Sequence, residues 1–216
     1  MSTLHRAALP AGAPSYWKQA TRELMRRDRI LKGLIETLGY SFPVAKDNPF
    51  VTLVRAIVGQ QISVKAAESV WRRLGEICPS CTPSHIARAG ESGLSRAGLS
   101  RRKVEYLLNL AQHFRKRTVQ PERWTEMPDE AVVAELQQIR GVGRWTAEMF
   151  LIFSLQRPNV LPMDDIGLLR GIGTAYFSEK SVSRSSAREL AENWKPWCTV
   201  ATWYLWRSLD PIPVEY

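Results

Sequence analysis

The chain has few cysteines, few histidines and no long apolar run, and each shortage excludes a class of protein. The 216 residues include three cysteines, and this small, odd number argues against a disulfide framework. The three histidines lie in unrelated contexts, which argues against a nucleophile–histidine triad. No apolar run reaches the roughly 20 residues that span a bilayer, and the N-terminus lacks a signal-peptide core. We therefore expect no membrane partner and a reducing location, either cytoplasmic and nucleoid-associated or nuclear.

What the chain does have is positive charge and a balanced composition. Lysine and arginine number 30 against 21 acidic residues, and the net charge of +9 favours an anionic partner such as nucleic acid. With 44% hydrophobic and 24% charged residues, the chain is predicted to fold as a globule. Residues 1–14 are small and proline-rich, so we expect a flexible N-terminus followed by one domain over residues 15–216.

Apolar residues recur at helical spacing along the chain, which predicts an all-α fold of about ten helices. Cap residues followed by proline mark two helix starts, at Asn48-Pro49 and Thr82-Pro83. Further predicted caps are Ser63, Ser100 and one of Asp164 or Asp165. The predicted helices span residues 16–38, 50–58, 64–77, a short stretch from 83, 101–116, 129 to the hairpin turn, 144–155, 166–177, 184–194 and 197–209.

The run from residue 136 to 147 predicts a helical hairpin, with its two helices over about residues 129–155. Gly141 and Gly143 allow a tight turn and a close approach by a partner. The second helix begins with N–H groups that have no acceptor inside the helix and with the positive end of the helix dipole, which together bind a phosphate. The pattern taken alone is also that of an ordinary helical corner.

A pair of acids, Asp164 and Asp165, follows the hairpin, with Asp165 24 residues after Gly141. Nucleic-acid phosphates repel carboxylates, so an acid placed here in a DNA-binding protein needs an explanation. One of the two acids is explained as a helix cap, and the other remains for chemistry. We therefore predict that this pair supplies a catalytic carboxylate.

Two other loops lead directly into predicted helices. In residues 59–63, the adjacent glutamines Gln60 and Gln61 can hydrogen-bond to base edges, although a plain polar turn has the same composition. In residues 97–103, the bulky Leu99 lies beside three cations. That composition is typical of a wedge with phosphate-binding flanks.

Most of the eight tryptophans are expected in the core. At least half of a dense C-terminal group should be buried, the group of Trp194, Trp197, Trp203 and Trp206. Trp145 differs, because it lies just inside the second hairpin helix, near the predicted DNA surface. Cys78 and Cys81 have the spacing of half a metal site, but no second pair completes it, so no metal is predicted.

Together these motifs resemble the helix-hairpin-helix superfamily of DNA glycosylases, and within it the alkyl-base branch of the 3-methyladenine DNA glycosylase II type. The similarity runs over about residues 16–211, and it is to the compact form without the additional N-terminal domain of larger relatives. The stretches that carry it are residues 57–63 (IVGQQIS), 141–147 (GVGRWTA), the acid pair at 164–165 and residues 194–197 (WKPW).

The resemblance implies two lobes with a DNA-binding cleft and double-stranded DNA containing alkylated bases as the partner. A monomer is the default expectation for a protein that searches DNA for lesions. It implies Asp165 as the catalytic carboxylate, with a base pocket of Trp145, Met149, Trp206 and Asp164. The residues predicted to fill the gap left by an extruded nucleotide are Gln60, Gln61 and Leu99. Those predicted to lie at DNA phosphates are Ser63, Ser100, Arg101, Arg102, Lys103, Gly141, Gly143, Arg144 and Thr146.

Three departures from the family pattern narrow the prediction. Bifunctional relatives carry a lysine where this chain has Trp145, so no lyase step is expected. Relatives with an iron–sulfur cluster carry four cysteines after the catalytic region, where this chain has only Cys198, so no cluster is expected. Met149 stands where some relatives carry a pocket tyrosine. No cofactor is expected beyond a monovalent cation, which the resemblance allows at the hairpin carbonyls.

These features predict a monofunctional glycosylase that flips out alkylated purines such as 3-methyladenine and 7-methylguanine. Hydrolysis of the N-glycosidic bond would leave an abasic site. The same fold could act instead on oxidised, deaminated or etheno bases. A helix-hairpin-helix module that only binds or bends DNA would need no acid at position 165, and a helical protein-interaction domain would show no salt-dependent DNA affinity.

Overall fold

The computed structural model describes residues 12–45, 48–178 and 181–209, and it divides into two compact units. Among the described residues, unit 1 comprises residues 12–45, 151–178 and 181–209, and unit 2 comprises residues 48–150. Residues 1–11, which make up most of the predicted flexible N-terminus, lie outside the described residues. The described ranges contain eleven α-helices and no β-strand, so the all-α prediction is confirmed.

The helices follow one another with short connections. Two short 3-10 helices, Pro121–Arg123 and Glu192–Trp194, lie between them. Across the described ranges, no helix combines the length and apolar character needed to cross a bilayer. The α-helices are α1 Trp17–Arg27, α2 Arg29–Leu38, α3 Pro49–Gly59, α4 Val64–Ile77, α5 Pro83–Arg96, α6 Arg101–Lys116, α7 Asp129–Leu136, α8 Arg144–Phe153, α9 Ile166–Tyr176, α10 Arg184–Ala191 and α11 Cys198–Leu209.

The single helix predicted over residues 16–38 is wrong, because Asp28 divides it into α1 and α2. The backbone of Asp28 is extended (φ −136°, ψ 113°), and its Oδ1 accepts hydrogen bonds from the N–H groups of Ile30 and Leu31. Its other oxygen accepts from the Tyr176 hydroxyl and from Trp194 Nε1. Asp28 therefore ends one helix, caps the next and ties both to the later helices of unit 1.

Aromatic side chains form the core of unit 1. Trp17, Trp194 and Tyr204 are fully buried, and Trp197 and Trp203 are buried as well, so the predicted tryptophan core is confirmed. The ring centroids of Trp17 and Tyr204 lie 6.3 Å apart, and α11 also packs against α2 and α9. The close approach to α9 depends on Gly171, where a Cβ atom would lie 3.1 Å from the backbone oxygen of residue 205 in α11.

In unit 2, successive helices from α3 to α6 pack against one another, and α3 also packs against α6. The predicted caps at the starts of α3, α4, α5 and α6 are confirmed, since each cap side chain accepts a backbone N–H of its helix. The span of α5 consists of two helical stretches separated at Gly90, whose backbone is non-helical (φ 59°, ψ −171°). The stretch that begins after Thr82 is therefore short, as expected, and the second stretch runs to Arg96.

Candidate active site

The hairpin turn between α7 and α8 is held by the neighbouring helix α6. Gly141 has a φ of +87°, and a Cβ atom there would overlap the ring of Tyr106. Asn109 Oδ1 accepts the backbone N–H of Arg140 at 2.8 Å. The first glycine is therefore required both by the turn conformation and by close packing, as a tight turn predicts.

The second glycine, Gly143, has a different environment. No heavy atom lies within 4 Å of the position that its Cβ would take, its φ is outside the left-handed region, and the residue is exposed. It directly precedes α8, whose first-turn amides have no acceptor within the helix. The backbone here is accessible to a close external partner, which is what a phosphate-binding role requires.

The Arg144 side chain is engaged by acids of its own unit. Its two Nη atoms pair with both carboxylate oxygens of Glu130, and its Nε donates to Glu148 at 3.0 Å. The bond with Arg144 lowers the pKa of Glu130, and the pKa of Arg144 is raised by the same pairing. Thr146 is buried. A phosphate-binding role for Arg144 or Thr146 stays a prediction. Because the Arg144 side chain is paired and Thr146 is buried, the backbone N–H groups at these positions would make the contact.

The two adjacent glutamines have different roles in the structure. Gln60 Nε2 donates to the backbone oxygen of Gly141 at 2.9 Å, so its side chain links this loop to the hairpin turn. Gln61 is exposed and adopts a left-handed conformation (φ 57°), which is strained for a residue with a Cβ atom. Gln61 is the more exposed residue of the pair. Ser63 is also exposed, and its Oγ caps α4.

The turn before α6 differs in one respect from the expected projecting wedge. Leu99 is only 7% exposed, because an apolar side chain beside a helix end packs into the unit 2 core. A gap-filling role for Leu99 stays a prediction, and it requires this side chain to leave that core. Next to it, Ser100 Oγ caps α6 by accepting the N–H of Lys103.

The three cations after Ser100 are not equivalent. Arg101 lies 3.6 Å from Glu105, and Arg102 is exposed. Lys103 donates from Nζ to the backbone oxygen of Val58 at 2.7 Å, and partial burial lowers its pKa. Lys103 thus stabilises the C-terminal end of α3, where a positive charge is favoured. Arg101 and Arg102 are both exposed, and a phosphate-binding role for either of them stays a prediction.

Asp165 is the buried member of the acid pair and caps α9. It is 8% exposed, and its Oδ1 accepts the N–H of Leu168 at 2.6 Å and the indole Nε1 of Trp206 at 2.8 Å. Trp206 is half-buried and lies parallel to the Phe153 ring, with 6.1 Å between ring centroids. Gly167 leaves room for this arrangement, since a Cβ there would lie 3.0 Å from Asp165 Oδ1.

Asp164 lies outside this buried arrangement. Its carboxylate pairs with Arg184 Nη2 at 3.0 Å, and both side chains are more than half exposed. Arg184 also donates from Nε to the backbone oxygen of Met163. Asp165 is therefore the cap, so the acid that caps α9 is also the proposed catalytic group, and the inference that left the non-capping acid for chemistry does not hold. A place for Asp164 beside a bound base stays a prediction.

The other predicted pocket residues lie on α8 in unit 2. Trp145 is half-buried in the first turn of the helix, and Met149 is buried one turn later. The sequence analysis missed two residues that contact the segment before Asp165, namely Arg184 and the buried Thr199. Their contacts are made to segments 20 or more residues away in sequence, and no local pattern marks them.

The arrangement at Asp165 can stabilise positive charge. A buried carboxylate oxygen held by one indole and one backbone N–H is fixed in place, and a fixed anion in a low-dielectric site stabilises a cation without reorganisation. A glycine-linked helical hairpin followed by a carboxylate-capped helix defines the class of helix-hairpin-helix DNA repair proteins. The sequence model of the HhH-GPD superfamily of base excision DNA repair proteins matches residues 54–196, and the chain belongs to this superfamily.

Known proteins of this superfamily resemble the chain over most of its length. DNA-3-methyladenine glycosylase 1 of Schizosaccharomyces pombe is 31% identical over 188 residues, which cover 84% of this chain and 82% of the relative. A crystal structure of a Bacillus halodurans DNA-3-methyladenine glycosidase has a TM-score of 0.81 and 32% identity, covering 88% of this chain and 89% of the other.

A second solved structure adds a nucleic-acid ligand. The 3-methyladenine DNA glycosylase of Schizosaccharomyces pombe, in complex with abasic DNA, has a TM-score of 0.79 and 29% identity, covering 91% of this chain and all of the other. These relationships confirm the resemblance to the alkyl-base branch. They also confirm that the chain is a DNA glycosylase, an enzyme that hydrolyses N-glycosyl bonds.

Proposed function

We propose that the protein removes alkylated purines such as 3-methyladenine and 7-methylguanine from double-stranded DNA and leaves an abasic site. The observation that carries the proposal is the Asp165 carboxylate, buried at the start of α9 and held by Trp206. The names of the relatives, and the abasic DNA bound to one of them, support the substrate and the product. Asp165 is the one catalytic side chain in the proposal, and the enzyme would not cut the DNA strand in a lyase step.

The target nucleotide must leave the duplex before a glycosidic bond can be reached, which costs a few kcal/mol and least at a damaged site. In the proposal, the exposed Gln61 occupies the vacated space, with Gln60 holding its loop to the hairpin turn. The backbone around Gly143 and the exposed Arg102 would bind phosphates on the distorted strand and offset its distortion.

Charge would select the substrate. Alkylated purines of this kind carry a positive charge, and a cation over an indole face gains roughly 0.5–2 kcal/mol that a neutral base does not. In the proposal, the residues at the base are those that the resemblance implies, namely Trp206, Trp145, Met149 and Asp164. Because an alkylated base is already an activated leaving group, the reaction would need no separate general acid.

The Asp165 carboxylate would then act on the sugar. Bond breaking gives the deoxyribose oxocarbenium character, and a fixed carboxylate stabilises that charge. The same group could orient or deprotonate the attacking water. A monovalent cation at the hairpin also remains part of the proposal. The oxygens of Ile139 and Gly141 accept hydrogen bonds from Val142 N and Gln60 Nε2, and each keeps a second lone pair.

The test is base release from duplexes that each carry one defined lesion, with and without alkali. The parent protein should release 7-methylguanine and 3-methyladenine, and strand breaks should appear only after alkali. Asp165→Asn should reduce release at least about 100-fold, the scale of losing a transition-state electrostatic contact. Glu192→Gln, which removes an exposed acid of unit 1, is the charge-matched control.

Other outcomes would contradict the proposal in identifiable ways. Normal release by Asp165→Asn would exclude the carboxylate mechanism. Release confined to oxidised, deaminated or etheno bases would replace the substrate class. Duplex binding without any release would identify a module that only binds DNA.

A further inference from the structure

The segment that leads to Asp165, residues 157–165, is held at both ends by one helix, α11. At its start, the Thr199 hydroxyl donates to the backbone oxygen of Arg157 at 2.5 Å and accepts the N–H of Val160 at 2.9 Å. At its end, Trp206 donates to Asp165. Thr199 and Trp206 are seven residues apart, so they lie on the same helix face about 10 Å apart.

Thr199 is well suited to fix a backbone segment. It is 0% exposed, and its single hydroxyl is used once as donor and once as acceptor, so both of the backbone groups that it contacts are satisfied without water. Its own backbone N–H donates to the oxygen of Pro158 at 3.1 Å. Three backbone groups of the segment, the oxygens of Arg157 and Pro158 and the N–H of Val160, therefore bond to one residue of α11.

A second contact holds the middle of the segment. Arg184, at the start of α10, donates from Nε to the oxygen of Met163 and pairs through Nη2 with Asp164. The segment is thus fixed at residues 157–160, 163–164 and 165, by side chains from α10 and α11. Residues 157–165 themselves form neither helix nor strand, so no regular backbone hydrogen bonding makes the segment rigid.

We propose that Thr199 is a positioning residue, which acts through residues 157–165 to set the place of the Asp165 carboxylate. This inference rests on the proposed catalytic role of Asp165. A displacement of a catalytic group by about 1 Å is enough to lower a rate about 100-fold. Loss of the Thr199 hydroxyl should therefore slow base release while leaving DNA binding in place.

The experiment compares three variants of the full chain with the parent. Thr199→Val removes both hydrogen bonds at nearly constant shape, and Thr199→Ser keeps them. Thr202→Val is the matched control, because Thr202 lies on the same helix, is also 0% exposed, and its hydroxyl has no hydrogen-bond partner within the described part of the chain. Single-turnover release of 7-methylguanine, affinity for an abasic-site duplex, and hydrogen exchange of peptides covering residues 157–165 are measured at a temperature where every variant is folded.

Thr199→Val should lower the release rate about 10- to 100-fold. Its affinity for the abasic-site duplex should stay within about twofold of the parent, because only a positioning contact is lost. Hydrogen exchange should rise in residues 157–165 and not elsewhere. Thr199→Ser should restore the rate, and Thr202→Val should match the parent in all three measurements.

A parental rate in folded Thr199→Val would overturn the proposal, and so would an equal loss in Thr202→Val. If Thr199→Val does not fold, Arg184→Gln decides, because this half-exposed residue holds the same segment. A loss of release rate at unchanged duplex affinity would support the positioning role of these contacts. A parental release rate would overturn the proposal. If the parent releases no base, the proposed function fails, and the exchange measurement still shows whether Thr199 holds the segment.

Discussion

The indole Nε1 of Trp206 donates a 2.8 Å hydrogen bond to Oδ1 of Asp165, the same oxygen that accepts the first-turn N–H of α9. Trp206 therefore has two features that act together. Its ring lies parallel to Phe153, and its edge fixes the carboxylate. A residue expected only to stack on a base is also a direct partner of the proposed catalytic group.

Trp206→Phe separates these two features, since it keeps an aromatic ring and removes the N–H donor. A hydrogen bond to a charged group contributes about 1.5–3 kcal/mol. Loss of a bond that matters in the transition state would lower the release rate by about 10- to 100-fold. The control is Trp203→Phe on the same helix, whose Nε1 donates to Ser41 Oγ and which should cost stability but little rate. A parental rate for Trp206→Phe would show that the bond has no role in catalysis.

The two hairpin glycines should respond differently to alanine. Gly141→Ala places a Cβ in a left-handed conformation and against the Tyr106 ring, so the free energy of unfolding should fall by about 2–4 kcal/mol. Gly143→Ala meets open space and should change stability by no more than about 0.5 kcal/mol. Gly143→Ala should instead weaken the affinity for duplex DNA. The affinity should fall about tenfold if a phosphate contact of about 1.4 kcal/mol is lost. Urea unfolding and duplex titration check both, and equal destabilisation by the two variants would refute the distinction.

The two loop glutamines should also separate. Gln60→Met keeps the length of the side chain and removes the hydrogen bond to Gly141, so it should cost about 1 kcal/mol of stability. Gln61→Gly relieves a left-handed residue and should not destabilise the fold. It should slow release from duplex DNA but not from single strands, where no gap is left to fill. The measurement is the release rate on the two substrates, and an equal loss on both would exclude gap filling by Gln61.

Arg102 and Arg144 should differ in the salt dependence of duplex binding. Each phosphate contact contributes about 0.9 to the slope of log K against log salt concentration. Arg102 is exposed, so Arg102→Ala should reduce the slope by about that amount. Arg144 is already neutralised by Glu130 and Glu148, so Arg144→Ala should leave the slope unchanged. A reduced slope for Arg144→Ala alone would assign the phosphate contact to its side chain.

The three buried thiols should make stability fall at alkaline pH. Burial raises the pKa of Cys81 from 9.0 to about 11 and that of Cys198 to about 12. A pKa raised in the folded state contributes stability that is complete below the unfolded value, near pH 9, and is lost as the pH rises through the folded value. Urea unfolding at pH 7.5 and pH 10.5 measures this loss, and Cys81→Ser should reduce it.

The burial of the three thiols can also be tested directly. A thiol reagent should find no accessible thiol in the folded protein at neutral pH, and rapid reaction would contradict the burial.

Local chemistry made much of this structure predictable. The caps at Asn48, Ser63, Thr82 and Ser100 each depend on a side chain and an N–H three residues later, so both partners lie within a short stretch of sequence. The hairpin turn and the acid after it were predictable for the same reason. The break at Asp28 was not, because apolar residues continue at helical spacing on both sides and hide a cap inside the pattern.

The parts that sequence could not predict depend on distant partners. The burial of Leu99 depends on the packing of unit 2, and the neutralisation of Arg144 depends on an acid 14 residues earlier. The Thr199 contacts join residues about 40 apart. No periodicity or spacing relates such residues, because they meet only once the helices have packed.

Gly167 lies where a single added methyl group would press on Asp165 Oδ1 and on the Trp206 ring, although its backbone is ordinary helix. In a saturation library, that position would tolerate many residues under a screen for soluble expression and very few under selection for survival of alkylation damage. Comparison of the two enrichment profiles would therefore locate the chemistry of the enzyme by genetics alone.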